Sequence, residues 1–309
     1  MRVHNARLTS IIPLLTLLVV FSRAGFAGSA VAPGLPSLTE RLDWPQPVLV
    51  AHRGCVEFGP ENSVAALKAC IAMGIDMVEG DVRATKDGVL VLLHDAMLDR
   101  TTDMTGLLNE HTYSEVKRAR LRAGSGGKDT ALTNEAIPRL SDALEAARGR
   151  IFFLLHVKKP AYDEIYAAVL AAGMQNNVAM LIEASPRDPA LRKARFVGKV
   201  AYFPVIFQCA PPDRTAECYG IDELSRAFED YRPLHPEAYL LNFESNAVLE
   251  RNAAVIQKAG ARIIASAEGE DQLRDPDALW GPLLAANVAL VLTDRASDLD
   301  SYLKTRGLK

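Results

Sequence analysis

VLVAHRGCVEFGPENSVAALKACIAMGIDMVEGDVRATKDGVLVLLHDAMLDRTTDMTG, residues 48–106, is the stretch that decides the fold of this 309-residue chain. Residues 48–51 are apolar and follow a proline, which predicts a buried strand. Residues 61–74 place apolar side chains at helical spacing and end in glycine, which predicts an amphipathic helix. Residues 76–82 predict a second strand. A strand, a helix and a strand in this order indicate a parallel βαβ unit.

The polar residues of this stretch lie where the predicted strands end. Glu79 and Asp81 are two positions apart, so both side chains share one face of a strand and can hold a hard cation. Arg53 can bind a phosphate. His52 and His94 can exchange protons near neutral pH. Together these five side chains are what metal-assisted cleavage of a phosphodiester needs.

The strand that ends at His94 is expected to fold back on the second strand. Only a few residues separate Asp81 from the apolar run 89–94, whereas a parallel crossover needs about a dozen residues. Asp87-Gly88 is a strong hairpin turn signal. A two-residue loop at these positions would place Asp81 opposite His94. The histidine would then lie close to the two carboxylates.

The rest of the chain alternates between strand-like and helical patterns. The further strand-like segments are residues 151–157, 178–183, 200–208, 238–243, 262–266 and 289–293. With the first two strands they make eight, which predicts an α/β fold of the (β/α)8 TIM-type barrel class. The small β-hairpin after the second strand would then stand above the barrel rim.

Composition agrees with a single barrel domain over residues 46–309. The net charge is −3, and no basic stripe is present, so no nucleic-acid partner is expected. Charged residues make up 24% of the chain, which is ordinary for a globular protein.

The first residues are predicted to form a signal peptide, residues 1–30, followed by a linker, residues 31–45. Arg2 and Arg7 precede an apolar run, residues 11–21, that is short for a membrane span. An uncleaved anchor is the alternative. We expect an exported protein, periplasmic or extracellular, with no stable membrane span once the signal is cleaved.

Export implies an oxidising compartment, in which cysteines can pair. The chain has four cysteines, which allow three pairings, and the sequence does not choose among them. Cys209 and Cys218 flank a Pro-Pro loop and could form a local disulfide, while Cys55 lies beside the site motif and Cys70 on the first helix.

Taken together, these motifs make the sequence resemble the glycerophosphodiester phosphodiesterase family. The motifs that carry the resemblance are HRG at 52–54, PENS at 60–63, EGDV at 79–82, TKDG at 85–88, HD at 94–95, LDRTT at 98–102, IPRLSDAL at 137–144 and LTD at 292–294. The resemblance spans about residues 47–305 and is dense only in the first third. It implies a (β/α)8 barrel and metal-dependent hydrolysis of glycerophosphodiesters to glycerol phosphate and an alcohol.

The resemblance also implies a role for each residue that matches a family motif. His52 and His94 match the acid–base pair, and Arg53 matches the phosphate-binding arginine. Lys158 matches the lysine of the family's E-x-K strand and is expected on the phosphate. Glu79 and Asp81 match two metal ligands, and the family's metal would be Ca²⁺ or Mg²⁺.

The sequence departs from the family pattern at three positions. The glutamate of the E-x-K motif is replaced by His156, which we expect to bind the metal directly and to shift the preference towards Zn²⁺ or Mn²⁺. The alternative is that His156 does not contact the metal, and that Glu79, Asp81, waters and substrate hold a weakly bound Mg²⁺ or Ca²⁺. A third carboxylate, Glu183 or Glu244, could also be recruited. Ala265-Ser266 stands where the family often has an aromatic residue and threonine, so the wall that faces the leaving group should differ. Ala296 replaces the proline of the family's closing T-D-x-P segment.

Three functions remain open on the sequence. The first is the phosphodiesterase, acting on a small-molecule glycerophosphodiester or a lipid-derived substrate. The second is a related phospholipid-cleaving barrel enzyme, phospholipase D-like or a cyclising lyase. The third is a catalytically inactive exported binding protein, for which the change at His156 is the support.

Overall fold

Eight parallel strands close into a barrel, and this confirms the predicted fold. The computed structural model describes residue 1 and residues 34–209, 218–242, 246–267 and 275–309. The barrel strands are β1 (Val48–Ala51), β2 (Met77–Ala84), β4 (Phe152–Val157), β5 (Val178–Ile182), β6 (Ala201–Cys209), β8 (Tyr239–Asn242), β9 (Ile263–Ala267) and β10 (Leu290–Thr293). Closure comes from β1, which pairs in parallel with β10 on one side and with β2 on the other.

Two short strands lie outside the barrel wall. They are β3 (Leu90–Leu92), which pairs antiparallel with β2, and β7 (Tyr219–Gly220), which pairs with β6. The helices in the described part of the chain are α1 (Leu38–Leu42), α2 (Val64–Met73), α3 (Tyr113–Val116), α4 (Leu140–Ala147), α5 (Tyr162–Ala171), α6 (Pro189–Lys193), α7 (Leu224–Tyr231), α8 (Asn246–Ala259), α9 (Pro276–Ala285) and α10 (Ala296–Thr305). None of these helices is both long enough and apolar enough to cross a membrane.

The alternation of side chains along each strand separates two apolar cores. On β1, Val48 and Val50 pack inside the barrel, whereas Leu49 and Ala51 pack in the layer shared with the helices. On β2 the inward positions start with the apolar Met77 and then become acidic. The change from apolar to polar side chains along the inward face places the chemistry at the carboxyl ends of the strands.

A short helix closes the amino-terminal end of the barrel. Leu38 and Leu42 of α1 are buried in the interior core, and Ser37 caps the helix by accepting from the Glu40 backbone N–H. The chain here is anchored by Leu38 N–H, which donates to Asn176 O at 2.7 Å. Part of the segment expected as a linker, residues 31–45, therefore folds onto the barrel, and residues 2–33 lie outside the described residues.

Helix α2 ends at the predicted glycine but begins at Val64, three residues later than expected. Ser63 accepts from the Ala66 backbone N–H, and Gly74 ends the helix in the left-handed conformation with φ 71°. Cys70 of α2 forms a disulfide with Cys55, with Cα atoms 5.4 Å apart. This pairing links the helix to the loop that carries the first site motif. The side chain of Cys209, for which a local disulfide with Cys218 was one open possibility, lies outside the described residues.

The hairpin folds back antiparallel, but the predicted register is wrong by one residue. Thr85 donates its backbone N–H to Val89 O at 3.0 Å, so the loop has three residues rather than two. Gly88 occupies the left-handed position of that loop with φ 78°. As a consequence Asp81 lies opposite Leu93, which donates its N–H to Asp81 O at 2.9 Å, and His94 follows one position later.

The segment after β3 forms a small apolar cluster of its own. Its members are Val91, Leu93, Leu98, Leu108, Val116, Ala119, Leu121 and Ile137. Helix α3 ends at Val116, and Leu121 forms an antiparallel bridge with Thr102.

Candidate active site

Two buried carboxylates on β2 form the floor of the site. Glu79 and Asp81 are 1% and 0% exposed, so their charges need partners. The Arg53 backbone N–H donates to Glu79 Oε2 at 2.9 Å. Within the described structure Glu79 Oε1 accepts no hydrogen bond, and Asp81 Oδ1 is paired with the Lys158 ammonium at 3.0 Å.

Asn62 of the PENS motif fixes the orientation of Asp81. Its side-chain amide donates to Asp81 Oδ2 at 2.8 Å, and its amide oxygen accepts from the Asp81 backbone N–H at 2.9 Å. Asn62 sits in the left-handed region with φ 57°, which asparagine tolerates better than most residues. This two-point contact is the physical reason for an asparagine at this place.

His156 and Lys158 reach the carboxylates from β4 and its end. His156 Nδ1 lies 3.6 Å from Glu79 Oε1 and 3.5 Å from Asp81 Oδ1. Lys158 Nζ lies 3.0 Å from Asp81 Oδ1 and 2.9 Å from His156 Nδ1. The structure thus brings together Glu79, Asp81 and His156, each offering one ligand atom, with these atoms all within 4.8 Å of one another.

The charges around Asp81 keep it ionised. Burial alone would raise its pKa, but Lys158, His94 and His156, together with the Asn62 hydrogen bond, lower it to about 2. The pKa of His156 is raised to about 9, since the carboxylates of Glu183 and Glu79 outweigh burial and the neighbouring ammonium of Lys158.

The donor set fits a divalent metal ion. Each of the two acids presents a buried carboxylate oxygen to an imidazole nitrogen, and Glu79 Oε1 accepts no hydrogen bond within the described structure. Carboxylates suit Ca²⁺ and Mg²⁺, whereas an added imidazole suits Zn²⁺ and Mn²⁺ better than Ca²⁺.

Glu183, which follows β5, contacts the far side of the His156 ring. Its Oε1 lies 2.8 Å from His156 Nε2. A carboxylate behind a histidine fixes the ring orientation and the tautomer, here with Nδ1 towards Glu79 and Asp81. The other carboxylate suggested as a substitute ligand, Glu244, lies outside the described residues.

The two histidines expected to transfer protons are held in the same manner. His52 follows β1, and its Nδ1 lies 2.7 Å from Asp294 Oδ1 after β10. His94 Nδ1 lies 2.7 Å from Asp95 Oδ1. Hydrogen bonds from Arg100 hold the pKa of Asp95 well below its usual range, with a smaller effect from His94.

Arg53 is placed by an unusual backbone conformation. Its φ of 54° is left-handed and turns the chain sharply after His52. Its side chain lies between two acids, with Nη1 3.3 Å from Glu61 Oε2 and Nε 3.6 Å from Asp81 Oδ2.

These side chains face one cavity of about 300 Å³ at the carboxyl end of the barrel. The predicted site residues that line it are His52, Arg53, Glu79, His94, His156 and Lys158. Asp81 is fully buried next to them. A neighbouring cavity of about 440 Å³ shares Lys158, Glu183, Val205 and Phe207 with the first.

Several residues of the site carried no role in the sequence prediction. They are Glu61, Asn62, Asp95, Arg100 and Asp294. All five belong to motifs of the family resemblance, and that membership was the available signal. What each one contacts depends on packing between distant parts of the chain.

Comparison with known proteins supports the resemblance. The model of the Glycerophosphoryl diester phosphodiesterase family matches residues 52–184. A putative glycerophosphodiester phosphodiesterase of Bacillus subtilis, YhdW, is 37% identical over 110 residues, which are 36% of this chain and 44% of that protein. The match therefore covers less than half the length of this relative. The predicted family resemblance is confirmed for this part of the chain.

Solved structures share the fold over most of the chain. A Glycerophosphoryl diester phosphodiesterase from Parabacteroides distasonis superposes with a TM-score of 0.69 at 20% identity, covering 88% of this chain and 94% of that one. A phosphodiesterase from Oleispira antarctica, solved in complex with the product sn-glycerol-3-phosphate, gives 0.62 at 23% identity, covering 84% and 97%. At these identities the structures establish a shared barrel.

Proposed function

We propose that this chain, whose residues 52–184 match the glycerophosphodiester phosphodiesterase family, is a metal-dependent phosphodiesterase that hydrolyses glycerophosphodiesters to glycerol phosphate and an alcohol. The observation that carries the proposal is one cavity lined by two aspartate-bonded histidines, two cationic side chains, Glu79 and His156, with Asp81 buried beside it. A phosphodiester is the substrate class that needs all three kinds of group at once.

The histidines supply proton transfer at opposite sides of the scissile bond. One takes a proton from the attacking water while the other protonates the leaving alkoxide. In both rings the aspartate binds Nδ1, so the proton passes through Nε2. The aspartates also stabilise the imidazolium that forms in each half of the reaction.

Arg53 and Lys158 bind the non-bridging oxygens of the phosphate. Arg53 contributes a planar guanidinium and Lys158 a compact charge, and both side chains are largely enclosed at 18% and 14% exposure. In an enclosed site such charges stabilise the negative charge of the transition state more strongly than they would in water.

Glu79, Asp81 and His156 would hold the metal ion. When bound, the ion would supply positive charge next to the phosphate and polarise its oxygens. Glu183 would orient His156 for this role, as outer carboxylates do for metal-binding histidines.

The alcohol portion of the substrate has room in the neighbouring cavity. This cavity begins at Lys158 and Glu183 and extends past Tyr219 and Arg226. A substrate phosphate on Lys158 would place its alcohol or its glycerol at the entrance to this space.

A product assay with phosphorus NMR tests the proposed function. The purified protein is stripped of metal and offered glycerophosphocholine, glycerophosphoethanolamine and glycerophosphoglycerol, with Ca²⁺, Mg²⁺, Mn²⁺ or Zn²⁺ added singly. We expect a phosphomonoester, glycerol phosphate, in a metal-dependent reaction. A cyclic phosphate would identify a lyase. In a parallel reaction with intact phosphatidylcholine, phosphatidic acid would identify a phospholipase D-like enzyme. Absence of turnover with every metal would favour the binding protein.

The replacement His156→Glu is expected to shift metal preference towards Ca²⁺ and Mg²⁺. The change adds a carboxylate beside Glu79 and Asp81 and removes the nitrogen ligand that suits Zn²⁺ and Mn²⁺. Titration calorimetry of the stripped proteins measures the four affinities directly.

His235→Glu is the matched control, since His235 lines a surface cavity with Ser37 and Leu38 at the α1 end of the barrel. It should leave every metal affinity unchanged. If His156→Glu also leaves them unchanged, His156 is not a ligand.

We further infer that the protein is exported. The support is the basic and apolar pattern of its first residues and the Cys55–Cys70 disulfide, which persists in an oxidising compartment. Amino-terminal sequencing of the protein from the host's extracytoplasmic fraction should begin after Ala27, Ala30 or Ala32. Recovery of the chain only in the cytoplasm would contradict export.

A further inference from the structure

Arg100, from the LDRTT motif, joins two carboxylates through four hydrogen bonds. Its Nε donates to Asp95 Oδ2 at 2.7 Å and its Nη2 to Asp95 Oδ1 at 2.9 Å. On the other side, Nη1 and Nη2 donate to the two oxygens of Glu61, each at 2.8 Å. The planar guanidinium therefore donates to two carboxylates at once, a geometry that lysine cannot reproduce.

Each of the two carboxylates holds a different residue of the site. Asp95 binds Nδ1 of His94 at 2.7 Å. Glu61 Oε2 lies 3.3 Å from Nη1 of Arg53. Arg100 is therefore the shared partner of the groups that orient an acid–base histidine and a phosphate-binding arginine.

Burial makes this bridge necessary. Glu61 is 2% exposed, and an ionised carboxylate so far from water is stable only with charged partners. Arg53 alone offers one long contact, whereas Arg100 offers two short ones to the same carboxylate. Without Arg100 the Glu61 carboxylate would be left with a single long contact from Arg53.

A glycine-rich loop fixes the backbone of Arg100. Gly127 N–H donates to Arg100 O at 2.7 Å, and Gly124 O accepts from the Glu61 N–H at 2.8 Å. Gly126 has φ 76°, and a Cβ there would lie 2.7 Å from Arg100 O, so the close approach requires glycine. Residues 124–127 thus serve to hold Arg100 against Glu61.

We propose that Arg100 is a positioning residue that holds His94, through Asp95, and Arg53, through Glu61, in one fixed arrangement. The proposal rests on the proposed function, which gives His94 its acid–base role and Arg53 its phosphate-binding role. Arg100 touches no reacting atom in this scheme, and its whole effect passes through the two residues that do.

Kinetics of Arg100 variants provide the first test. Arg100→Ala should lower kcat/KM by about 10–100-fold, by analogy with the loss of a hydrogen-bond partner behind a metal-binding side chain. Arg100→Lys should remain impaired, because an ammonium cannot bridge both acids. Added guanidinium ion should restore part of the Arg100→Ala activity. Arg120→Ala, which removes an exposed arginine paired with Asp103 in the same segment, is the control and should be silent.

A double-mutant cycle separates positioning from general destabilisation. If Arg100 acts through His94, replacing Arg100 in the His94→Ala protein should cost at least about fivefold less than in the wild type, because groups that act as a unit are not additive. Losses that simply multiply, full activity in Arg100→Lys, or a silent Arg100→Ala would each overturn the proposal.

The tautomer of His94 can be measured by NMR even if the protein shows no turnover. Because an ionised Asp95 can only accept, His94 should carry its proton on Nδ1, and histidine nitrogen NMR, assigned with His94→Asn, should show this tautomer in the wild type. Arg100→Ala should mix the tautomers and Arg120→Ala should not. An inactive wild type would contradict the proposed function alone, while an unchanged His94 tautomer in Arg100→Ala would overturn the positioning role.

Discussion

Replacing His52 or His94 with alanine is expected to lower kcat by about 10²–10⁴-fold in each case, the range for loss of one positioned acid or base. Both rings line the cavity, and each is held at Nδ1 by an aspartate at 2.7 Å. The loss should fall mainly on kcat, since in the proposed mechanism Arg53 and Lys158 bind the phosphate. Steady-state kinetics with a glycerophosphodiester and the preferred metal measure it.

His235→Asn is the matched control for the two alanine variants. His235 adopts the left-handed conformation with φ 52°, which asparagine also accepts, and it lies on a surface cavity away from the site. It should keep wild-type kcat, and all three variants should unfold at similar temperatures. If either alanine variant retains near-wild-type turnover, the acid–base assignment of that histidine is wrong.

The barrel could be predicted because its strands are buried on both faces. Residues 48–51 and 289–293 are apolar in every position or nearly so, which marks strands covered by helices. The polar exceptions at the inward positions of β2 and β4 marked the site. Local pattern was therefore sufficient for the fold class and for placing Glu79 and Asp81 on one inward face, whereas His156 was singled out through the family resemblance.

The register of the hairpin could not be predicted from the Asp87-Gly88 signal. The same dipeptide serves a two-residue loop, with both residues left-handed, or a three-residue loop in which glycine alone is left-handed. Here Thr85 accepts the Gly88 N–H and donates to Val89 O, which selects the longer loop. The choice is made by a few hydrogen bonds and not by apolar periodicity.

The hydrogen-bond partners of the site residues could not be predicted from the local sequence pattern. Asp294 contacts His52 across 242 positions of sequence, and Arg100 contacts Glu61 across 39. Such pairs come into contact because the barrel closes and because the segment after β3 folds back. The sequence shows that these residues are polar and close to motifs, but it does not indicate which carboxylate contacts which histidine or arginine.

Asp81→Asn is expected to abolish tight metal binding and to lower kcat/KM by about 10²–10³-fold, since a bound ion is typically worth several kcal/mol of charge stabilisation in the transition state. The substitution keeps the shape of the side chain but removes one of the two buried negative charges beside His156. Metal addition should raise the unfolding temperature of the wild type by binding the native state and leave that of Asp81→Asn unchanged. Asp103→Asn, at the partly exposed partner of Arg120, is the matched control and should respond to metal as the wild type does.

The two ligand variants change the charge of the site in opposite directions, and this makes the metal assignment testable as an order. His156→Glu makes the site more negative and Asp81→Asn makes it less negative, so the affinity for Ca²⁺ should fall from His156→Glu through the wild type to Asp81→Asn. The alternative is that Lys158 and His156 are permanent counter-ions of Glu79 and Asp81. In that case none of the three proteins would gain stability from metal, and activity would survive chelation. An unfolding series with and without Ca²⁺ therefore decides between a metal centre and a self-neutralised ion cluster, because only a metal centre orders the three proteins by charge.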